Sequence, residues 1–195
     1  MSALVLVLTG TDHHRFDRIV DWVDVAAARH RDVRFVVQYG ASRLPTLAVG
    51  YAFLTHERLT ALLAEASVVV CHGGPGTIMD ARELGHVPVC VPRDPARGEH
   101  VDGHQQRFAA LVAQAGVVRL ADSLTTFERE LEGALEQATV QTHTQTHTLA
   151  TPAREAARTL AASELESLIA VRPHRLGRLH RTRPAARGES GPAAR

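Results

Sequence analysis

Ser67-Val-Val-Val-Cys71 leads directly into His72-Gly-Gly-Pro-Gly-Thr77, so an apolar run ends in a glycine-rich turn. Uninterrupted apolar runs are typical of strands that are buried on both faces of a parallel sheet. A helical pattern follows the turn and ends near Leu84, where Gly85 provides a stop. The stretch therefore predicts a strand, a tight turn and a helix in succession, which is the repeating unit of an α/β protein.

The same alternation of strand and helix extends to both sides of this stretch. Strand-like runs occupy residues 3–8, 34–38, 51–54, 87–91 and 117–120, and helical patterns occupy residues 16–27, 57–65, 103–114 and 125–135. This order predicts a doubly wound, mostly parallel, Rossmann-like sheet. Ligands of such sheets bind beyond the carboxyl ends of the strands, where we expect the segments at Gly10, Gly40, 72–77 and 93–104.

The composition changes toward the C-terminus, and it predicts four regions. We expect a globular domain over residues 1–137, a polar linker over 138–152, a helix over 153–171 and a disordered basic tail over 172–195. The tail contains seven of the 22 basic residues and one of the 21 acidic residues. Two histidines lie in the repeat Gln141-Thr-His-Thr-Gln-Thr-His-Thr148, which we interpret as a solvated polar tract rather than a metal-binding tract.

Several classes of protein are disfavoured by composition. Cys71 and Cys90 both lie in strand-like runs, so we expect buried thiols and no disulfide framework. No apolar run approaches the roughly 20 residues of a membrane-spanning helix, and the run Ala3–Leu8 is too short for a signal peptide. We therefore expect a cytoplasmic protein. The aromatic content of 4% and the acidic body argue against a nucleic-acid partner.

The glycine-rich turn has the composition of an anion site. Glycines leave backbone N–H groups uncovered, and the following helix adds partial positive charge, which suits a diphosphate. The turn is not a Walker A loop, and the third glycine of a dinucleotide fingerprint is replaced by Met79. A structural turn without a ligand is the alternative, in which Thr77 and Asp80 form a capping box.

A second polar segment, Arg93 to Gln106, is expected at the same edge of the sheet. Asp102 is a candidate N-cap, which would place His104 and Gln105 in the first turn of a helix. Imidazoles and amides both donate and accept hydrogen bonds, so they suit sugar hydroxyls. Two alternatives are a capped helix with solvated polar residues and a metal site at His100 and His104. Because Gly103 lies between those histidines, they need not share a face, and we predict no metal site.

Together these segments resemble the donor-binding domain of family 28 glycosyltransferases. The residues that carry the resemblance are Val68 to Ala81, Gly85, Pro88, Val91-Pro92 and Glu99-His-x-Asp-x-His-Gln105, with Gly10-Thr11, Phe16-Asp-Arg-Ile and Gln38-Tyr-Gly40 upstream. The chain looks closest to the small split enzymes, which include the catalytic subunit of the lipid-linked N-acetylglucosamine transferase and bacterial exopolysaccharide enzymes. The resemblance covers residues 3–135 and implies one half of a GT-B glycosyltransferase.

The resemblance also implies roles for individual residues. The donor diphosphate would be held by Gly73, Gly74, Gly76 and Thr77, and it would be faced by Gly10 and Thr11. The ribose would be bound by Asp80, which stands where the family usually has Glu. The transferred sugar would be contacted by His104 and Gln105, whose loop Glu99 would shape. His14 and His72 are the catalytic candidates. No cofactor is implied.

The implied reaction is the inverting transfer of a hexosyl group from a UDP-sugar to a polyprenyl-diphosphate-linked sugar. Only the donor-type half is present, so the resemblance implies a membrane-anchored partner subunit that supplies the acceptor domain and recruits the chain to the inner face of the membrane. Two alternatives stay open. The chain could be a non-catalytic nucleotide-sugar-binding subunit, or it could be a sugar-nucleotide epimerase that acts alone.

Overall fold

The computed structural model describes residues 2–145, and the side chains of residues 2–140. The strands in this part of the chain are β1 Leu4–Leu8, β2 Arg34–Gln38, β3 Val49–Tyr51, β4 Val68–Cys71, β5 Val89–Cys90 and β6 Arg119–Leu120. The helices are α1 Asp17–Arg29, α2 His56–Glu65, α3 Pro75–Glu83, α4 His104–Gln114 and α5 Leu124–Gln145, with a short 3₁₀ turn at Pro95–Arg97.

The strands form one parallel sheet in the order β3-β2-β1-β4-β5-β6. Helices α1 and α5 cover one face, while α2, α3 and α4 cover the other. The doubly wound sheet predicted from sequence is therefore confirmed. In this strand order the direction of winding reverses between β1 and β4, and ligands bind at that switch point. The turns that begin at Thr9 and His72 flank it.

The central strand β1 shows why the apolar runs predict this architecture. All five of its residues are buried: Val5 and Val7 face α1 and α5, and Leu4, Leu6 and Leu8 face the other helices. Burial of each such side chain contributes about 1.5–3 kcal/mol. A strand with apolar residues on both sides can lie only between two helical layers, so β1 determines the centre of the sheet. Cys71 and Cys90 are buried free thiols, as predicted.

Two element boundaries differ from the sequence-based prediction. The strand expected at residues 51–54 is β3, which ends at Tyr51, because Val36–Gln38 of β2 pair with Val49–Tyr51. Helix α5 continues to Gln145, so residues 138–145 of the predicted linker are helical. No Gly or Pro interrupts them, and the hydroxyl of Thr139 donates back to the carbonyl of Leu135 at 3.0 Å.

The remainder of the predicted linker, the helix over 153–171 and the basic tail over 172–195 lie outside the described residues. The division into four regions stays a prediction. Within residues 2–145, no helix combines the length and the apolar character that crossing a membrane requires.

Candidate functional site

The glycine-rich turn joins the end of β4 to the first residue of α3. Gly74 is the N-cap and Pro75 is the first helical residue, a position where the missing N–H of proline costs nothing. Thr77 therefore lies inside the first turn, and the capping-box interpretation is wrong. The N–H groups of Gly76 and Thr77 have no carbonyl partner within the helix, as in the first turn of any helix, so they are available to an anion.

The three glycines of the turn are required for different reasons. A Cβ on Gly73 would lie 2.9 Å from Cβ of Gln105 and 3.0 Å from its carbonyl oxygen, so Gly73 permits close packing of α4. A Cβ on Gly74 would collide with the ring of His72. A Cβ on Gly76 would have no atom within 4 Å. The open space at this turn is therefore at Gly76, beside the free end of α3.

His72 lies between the turns that follow β1 and β4. Its ring contacts the positions that side chains at Gly10 and Gly74 would occupy, and its Nδ1 makes no hydrogen bond of normal geometry within the described residues. Burial, together with the nearby charge of Arg93, lowers the pKa of His72 to about 4. The ring is neutral at pH 7, with one N–H and one lone pair.

Gln38, at the end of β2, holds the turn after β1 in place. Its Oε1 accepts from the N–H of Gly10 at 3.2 Å, and its Nε2 donates to the carbonyls of Gly10 at 3.0 Å and Ala52 at 3.1 Å. Gly10 adopts φ of 84°, which favours glycine. Thr11, the next residue, is exposed. These hydrogen bonds give Gln38 a structural role beside Gly10, and both residues are among those that carry the family resemblance.

Asp12 is the principal site residue that the sequence-based prediction missed. Its Oδ1 accepts from the backbone N–H of His14 at 2.8 Å and lies 2.6 Å from Nδ1 of the His14 ring. Burial raises the pKa of Asp12, but the hydrogen bonds from His14 and the charge of Arg93 outweigh it and lower the pKa to about 2. An ionised Asp12 thus orients His14 and leaves Nε2 of that ring for other partners. An aspartate two residues before a loop residue is a recognised turn signal.

Arg93, which was also missed, joins two loops beneath the site, the loop after β1 and the loop before α4. Its side chain is 1% exposed; Nη1 donates to the carbonyls of His14 (2.8 Å) and Glu99 (2.9 Å), and Nη2 donates to the carbonyl of Thr9 (2.9 Å). The guanidinium lies 4.8 Å from the ring centroid of Phe16. The acceptors of these hydrogen bonds are neutral carbonyls, so Arg93 brings a buried positive charge to the carboxyl edge of the sheet, near the carboxylates of Asp12 and Glu99.

Among the side chains of residues 2–140, buried polar atoms without a hydrogen bond of normal geometry are concentrated at this edge. They include Thr9 Oγ1, His72 Nδ1 and Arg93 Nε, and each residue follows closely after the end of β1, β4 or β5. Buried polar atoms in folded proteins are normally paired. Their concentration here distinguishes the carboxyl edge from the rest of the core.

Glu99 stabilises the second loop from within. Its carboxylate accepts from Arg18 at 2.9 and 2.7 Å and from the N–H of Asp94 at 2.8 Å. The side chain is buried, and both carboxylate oxygens have partners in the protein. This position suits the shaping of the loop and gives Glu99 no free oxygen to offer a ligand.

His104 and Gln105 lie in the first turn of α4, but they face different surroundings. Gln105 is buried, and its Oε1 lies 3.4 Å from the N–H of Arg93. His104 is exposed, and Asp102 accepts from its backbone N–H at 2.8 Å and contacts its ring. Asp102 satisfies this end of α4, although the N-cap residue itself is Gly103. Of the two residues, His104 is the more accessible to a ligand.

Asp80 is exposed on α3, one turn after Gly76 and Thr77. Residues three and four apart share a helix face, so these three residues form one continuous surface.

Imidazoles and carboxylates form two groups on this edge. The potential ligand atoms of Asp12, His13 and His14 lie within 4.8 Å of one another, and so do those of His100, Asp102 and His104. The loop that precedes α4 brings His100 and His104 together, with ring centroids 4.7 Å apart, although α4 begins between them.

The sequence profile of the glycosyltransferase family 28 C-terminal domain matches residues 4–166. The chain belongs to this family. The resemblance carried by the two loops is thereby confirmed, and the match extends beyond it at the C-terminal end. No protein of curated function matches this chain in sequence.

Solved structures with a similar fold include glycosyltransferases. The glycotransferase of kitacinnamycin has a TM-score of 0.57 and 20% identity, with 85% of this chain and 39% of that chain covered. The spinosyn forosaminyltransferase SpnP has a TM-score of 0.54 and 18% identity, with 85% of this chain and 40% of that chain covered. MurG of Acinetobacter baumannii has a TM-score of 0.50 and 15% identity, with 86% of this chain and 52% of that chain covered. The family 28 chain thus has the fold of one half of a GT-B glycosyltransferase, and it spans about two-fifths to one-half of the length of these relatives.

Proposed function

We propose that this chain binds a UDP-sugar and transfers its hexosyl group, with inversion, to a polyprenyl-diphosphate-linked sugar. The observation that carries the proposal is the free N-terminus of α3, which is open at Gly76 and lies at the switch point between β1 and β4. Family 28 membership supports a glycosyl donor as the ligand of that site.

The donor diphosphate would accept hydrogen bonds from the N–H groups of Gly76 and Thr77 and from the Thr77 hydroxyl. Asp80, on the same face of α3, would bind the ribose. As the sugar leaves, negative charge grows on UDP, and preorganised donors stabilise such charge. Each charge-assisted hydrogen bond contributes about 1.5–3 kcal/mol. The buried charge of Arg93 acts in the same direction, and the neutral ring of His72 completes the wall between Gly10 and Gly74.

The acceptor hydroxyl must lose a proton during transfer, which requires a general base. His14 suits this role because Asp12 holds its Nδ1 and leaves Nε2 unoccupied by that contact. An open cavity of about 540 Å³ lies beside His14, and its lining includes Arg15, Arg18 and Arg97 together with Asp17 and Glu99. Arg15 and Arg18 are paired with these carboxylates, and Arg97 is the arginine that suits an acceptor carrying a diphosphate.

The second GT-B half would come from a membrane-anchored partner, which would hold the chain at the cytoplasmic face of the membrane. The resemblance to the small split enzymes supports this part of the proposal. The lipid-linked acceptor would then lie on the partner, and transfer would occur between the two chains.

Calorimetric titration with UDP, UDP-sugars and dTDP-sugars tests the donor site. We expect saturable binding of UDP that Thr77→Ala weakens by roughly tenfold or more, the loss of one charge-assisted hydrogen bond. Thr60→Ala is the matched control, because Thr60 is an exposed helical threonine on α2 that bonds only its own helix. The preferred sugar in the panel identifies the donor.

The same titration on the chain co-expressed with an acceptor-domain subunit tests the requirement for a partner. Binding and transfer only in the complex would support a split enzyme. Absence of UDP and dTDP binding in both preparations would contradict the donor site. Donor binding without transfer in the complex would favour a non-catalytic subunit.

A further inference from the structure

Three imidazoles surround the carboxylate of Asp12. Nδ1 of His14 lies 2.6 Å from Oδ1, and Nδ1 of His13 lies 3.7 Å from the same oxygen. Nε2 of His100 lies 3.3 Å from Oδ2. The residues come from two segments, the loop after β1 and the loop before α4, which are almost ninety residues apart in sequence. Both carboxylate oxygens therefore have imidazole nitrogens beside them.

The spacing of these atoms suits a tetrahedral metal site. Metal–ligand bonds of about 2.0–2.1 Å place neighbouring ligand atoms of a tetrahedron roughly 3.4 Å apart. The observed nitrogen–oxygen separations of 2.6, 3.3 and 3.7 Å bracket that value. One ligand atom each of Asp12, His13 and His14 lies within 4.8 Å of the other two, and His100 lies beside the second oxygen of Asp12.

We infer that Asp12, His13 and His14 form a binding site for a divalent transition-metal ion of the zinc class, with His100 beside the second carboxylate oxygen of Asp12. This inference departs from the absence of a metal site that the sequence predicts. It does not depend on the proposed transferase activity, but an ion on Nδ1 of His14 would replace the contact with Asp12, so His14 could not act as the general base while the ion is bound. A set of imidazoles and one carboxylate favours Zn²⁺, Co²⁺ or Ni²⁺, whereas Mg²⁺ and Ca²⁺ prefer oxygen ligands.

The second group, His100, Asp102 and His104, is the weaker candidate. The side chains of Asp102 and His104 are about half exposed. In the first group, by contrast, the side chains of Asp12 and His14 are 25% and 23% exposed, and His100, which is 11% exposed, brings the loop before α4 against Asp12.

The test is titration of the full chain with ZnCl₂ by calorimetry, together with the visible absorption of the Co²⁺ complex. We expect one ion per chain and a Co²⁺ spectrum of tetrahedral type. Asp12→Asn and His100→Ala should each lower the affinity for Zn²⁺ by about tenfold or more. His13→Ala should do the same. Because His13 is 87% exposed, its replacement leaves the fold intact and keeps the test decisive if another variant does not fold.

Two control variants separate this site from other histidines. His104→Ala should retain Zn²⁺ affinity, and so should the double variant His143→Ala/His147→Ala, which removes the histidines of the polar repeat. Absence of Zn²⁺ binding by the native chain would overturn the inference. It would also be overturned if His13→Ala and Asp12→Asn bound normally while either control variant lost the ion.

Discussion

The ring of His72 fills the space into which a side chain at Gly10 would project. A Cβ on Gly10 would lie 2.7 Å from both Cε1 and Nε2 of that ring. Gly10 also has φ of 84°. The turns after β1 and β4 are therefore in direct contact across the switch point of the sheet, and the contact depends on the absence of a side chain at residue 10.

Gly10→Ala should destabilise the fold through two effects that can be separated. The left-handed backbone costs an alanine about 1–3 kcal/mol, and the collision with His72 adds to that cost. In a His72→Ala background the collision disappears and only the backbone cost stays, so Gly10→Ala should be less destabilising there. Urea denaturation of the four proteins measures the coupling. Additive effects would show that the ring does not oppose a side chain at residue 10.

Gly76→Ala and Gly74→Ala should have opposite effects on stability. Nothing lies within 4 Å of a Cβ on Gly76, so alanine there should raise the free energy of unfolding by about 0.5–1 kcal/mol. Gly74 has φ of −81°, which alanine tolerates, so loss of stability in Gly74→Ala reports the collision with His72 together with the smaller cost of replacing an N-cap glycine by alanine. Thermal denaturation measures both changes.

The more stable Gly76→Ala protein should nevertheless bind UDP more weakly. Its methyl group would cover the open side of the turn where the diphosphate is proposed to approach. Calorimetry on both variants and the native chain checks this expectation. Unchanged UDP affinity in Gly76→Ala would place the diphosphate somewhere other than the first turn of α3.

Acid should destabilise the protein through His72. The pKa of this residue is about 4 in the fold, against an ordinary value of 6.5. As the pH falls through 6.5 the unfolded chain binds the proton first, so the contribution of His72 to stability declines between pH 6.5 and 4. The slope is at most about 1.4 kcal/mol per pH unit. Urea denaturation at several pH values should show a smaller slope for His72→Gln. Replacement of the exposed His56 by Gln is the matched control.

Glu99→Ala should be strongly destabilising. It leaves Arg18 without its buried partner, and loss of one member of a buried ion pair costs about 3–5 kcal/mol. The matched control is Glu65→Ala, which breaks the pair with Arg34 on the surface, where the side chains are 57% and 47% exposed. That change should cost no more than about 1 kcal/mol. Equal losses in chemical denaturation would contradict a supporting role for Glu99.

The parts of the fold that local pattern determines could be predicted from sequence. Val5 and Val7 alternate with Leu4, Leu6 and Leu8, and apolar residues on both sides of a strand are sufficient to predict helices on both faces of the sheet. The glycine-rich turn at the end of β4 could also be predicted, because it directly follows the apolar run of that strand. The last turns of α5 were missed because a Thr and Gln repeat has no strong local preference.

The contacts inside the site could not be predicted, because they join segments that are distant in sequence. Asp12 and His100 become neighbours only when β1 and β5 end at one edge of the sheet. The burial of Arg93 and Gln105 likewise depends on the turn after β1 and on helix α4. Their types suggest exposed residues, and only tertiary packing gives them buried partners.

Because Gly73 and Gln105 are in contact, the size of the residue at position 73 sets the separation of two loops, the turn after β4 and the start of α4. Any Cβ at residue 73 would have to displace the start of α4, since it would meet both Cβ and the carbonyl oxygen of Gln105. The distance from the turn at Gly76 to the side chain of residue 104 therefore depends on the absence of a Cβ at residue 73. Variant libraries at residue 104 on an intact Gly73 would sample different side-chain chemistries at one constant distance, whereas substitution of Gly73 would change the distance itself.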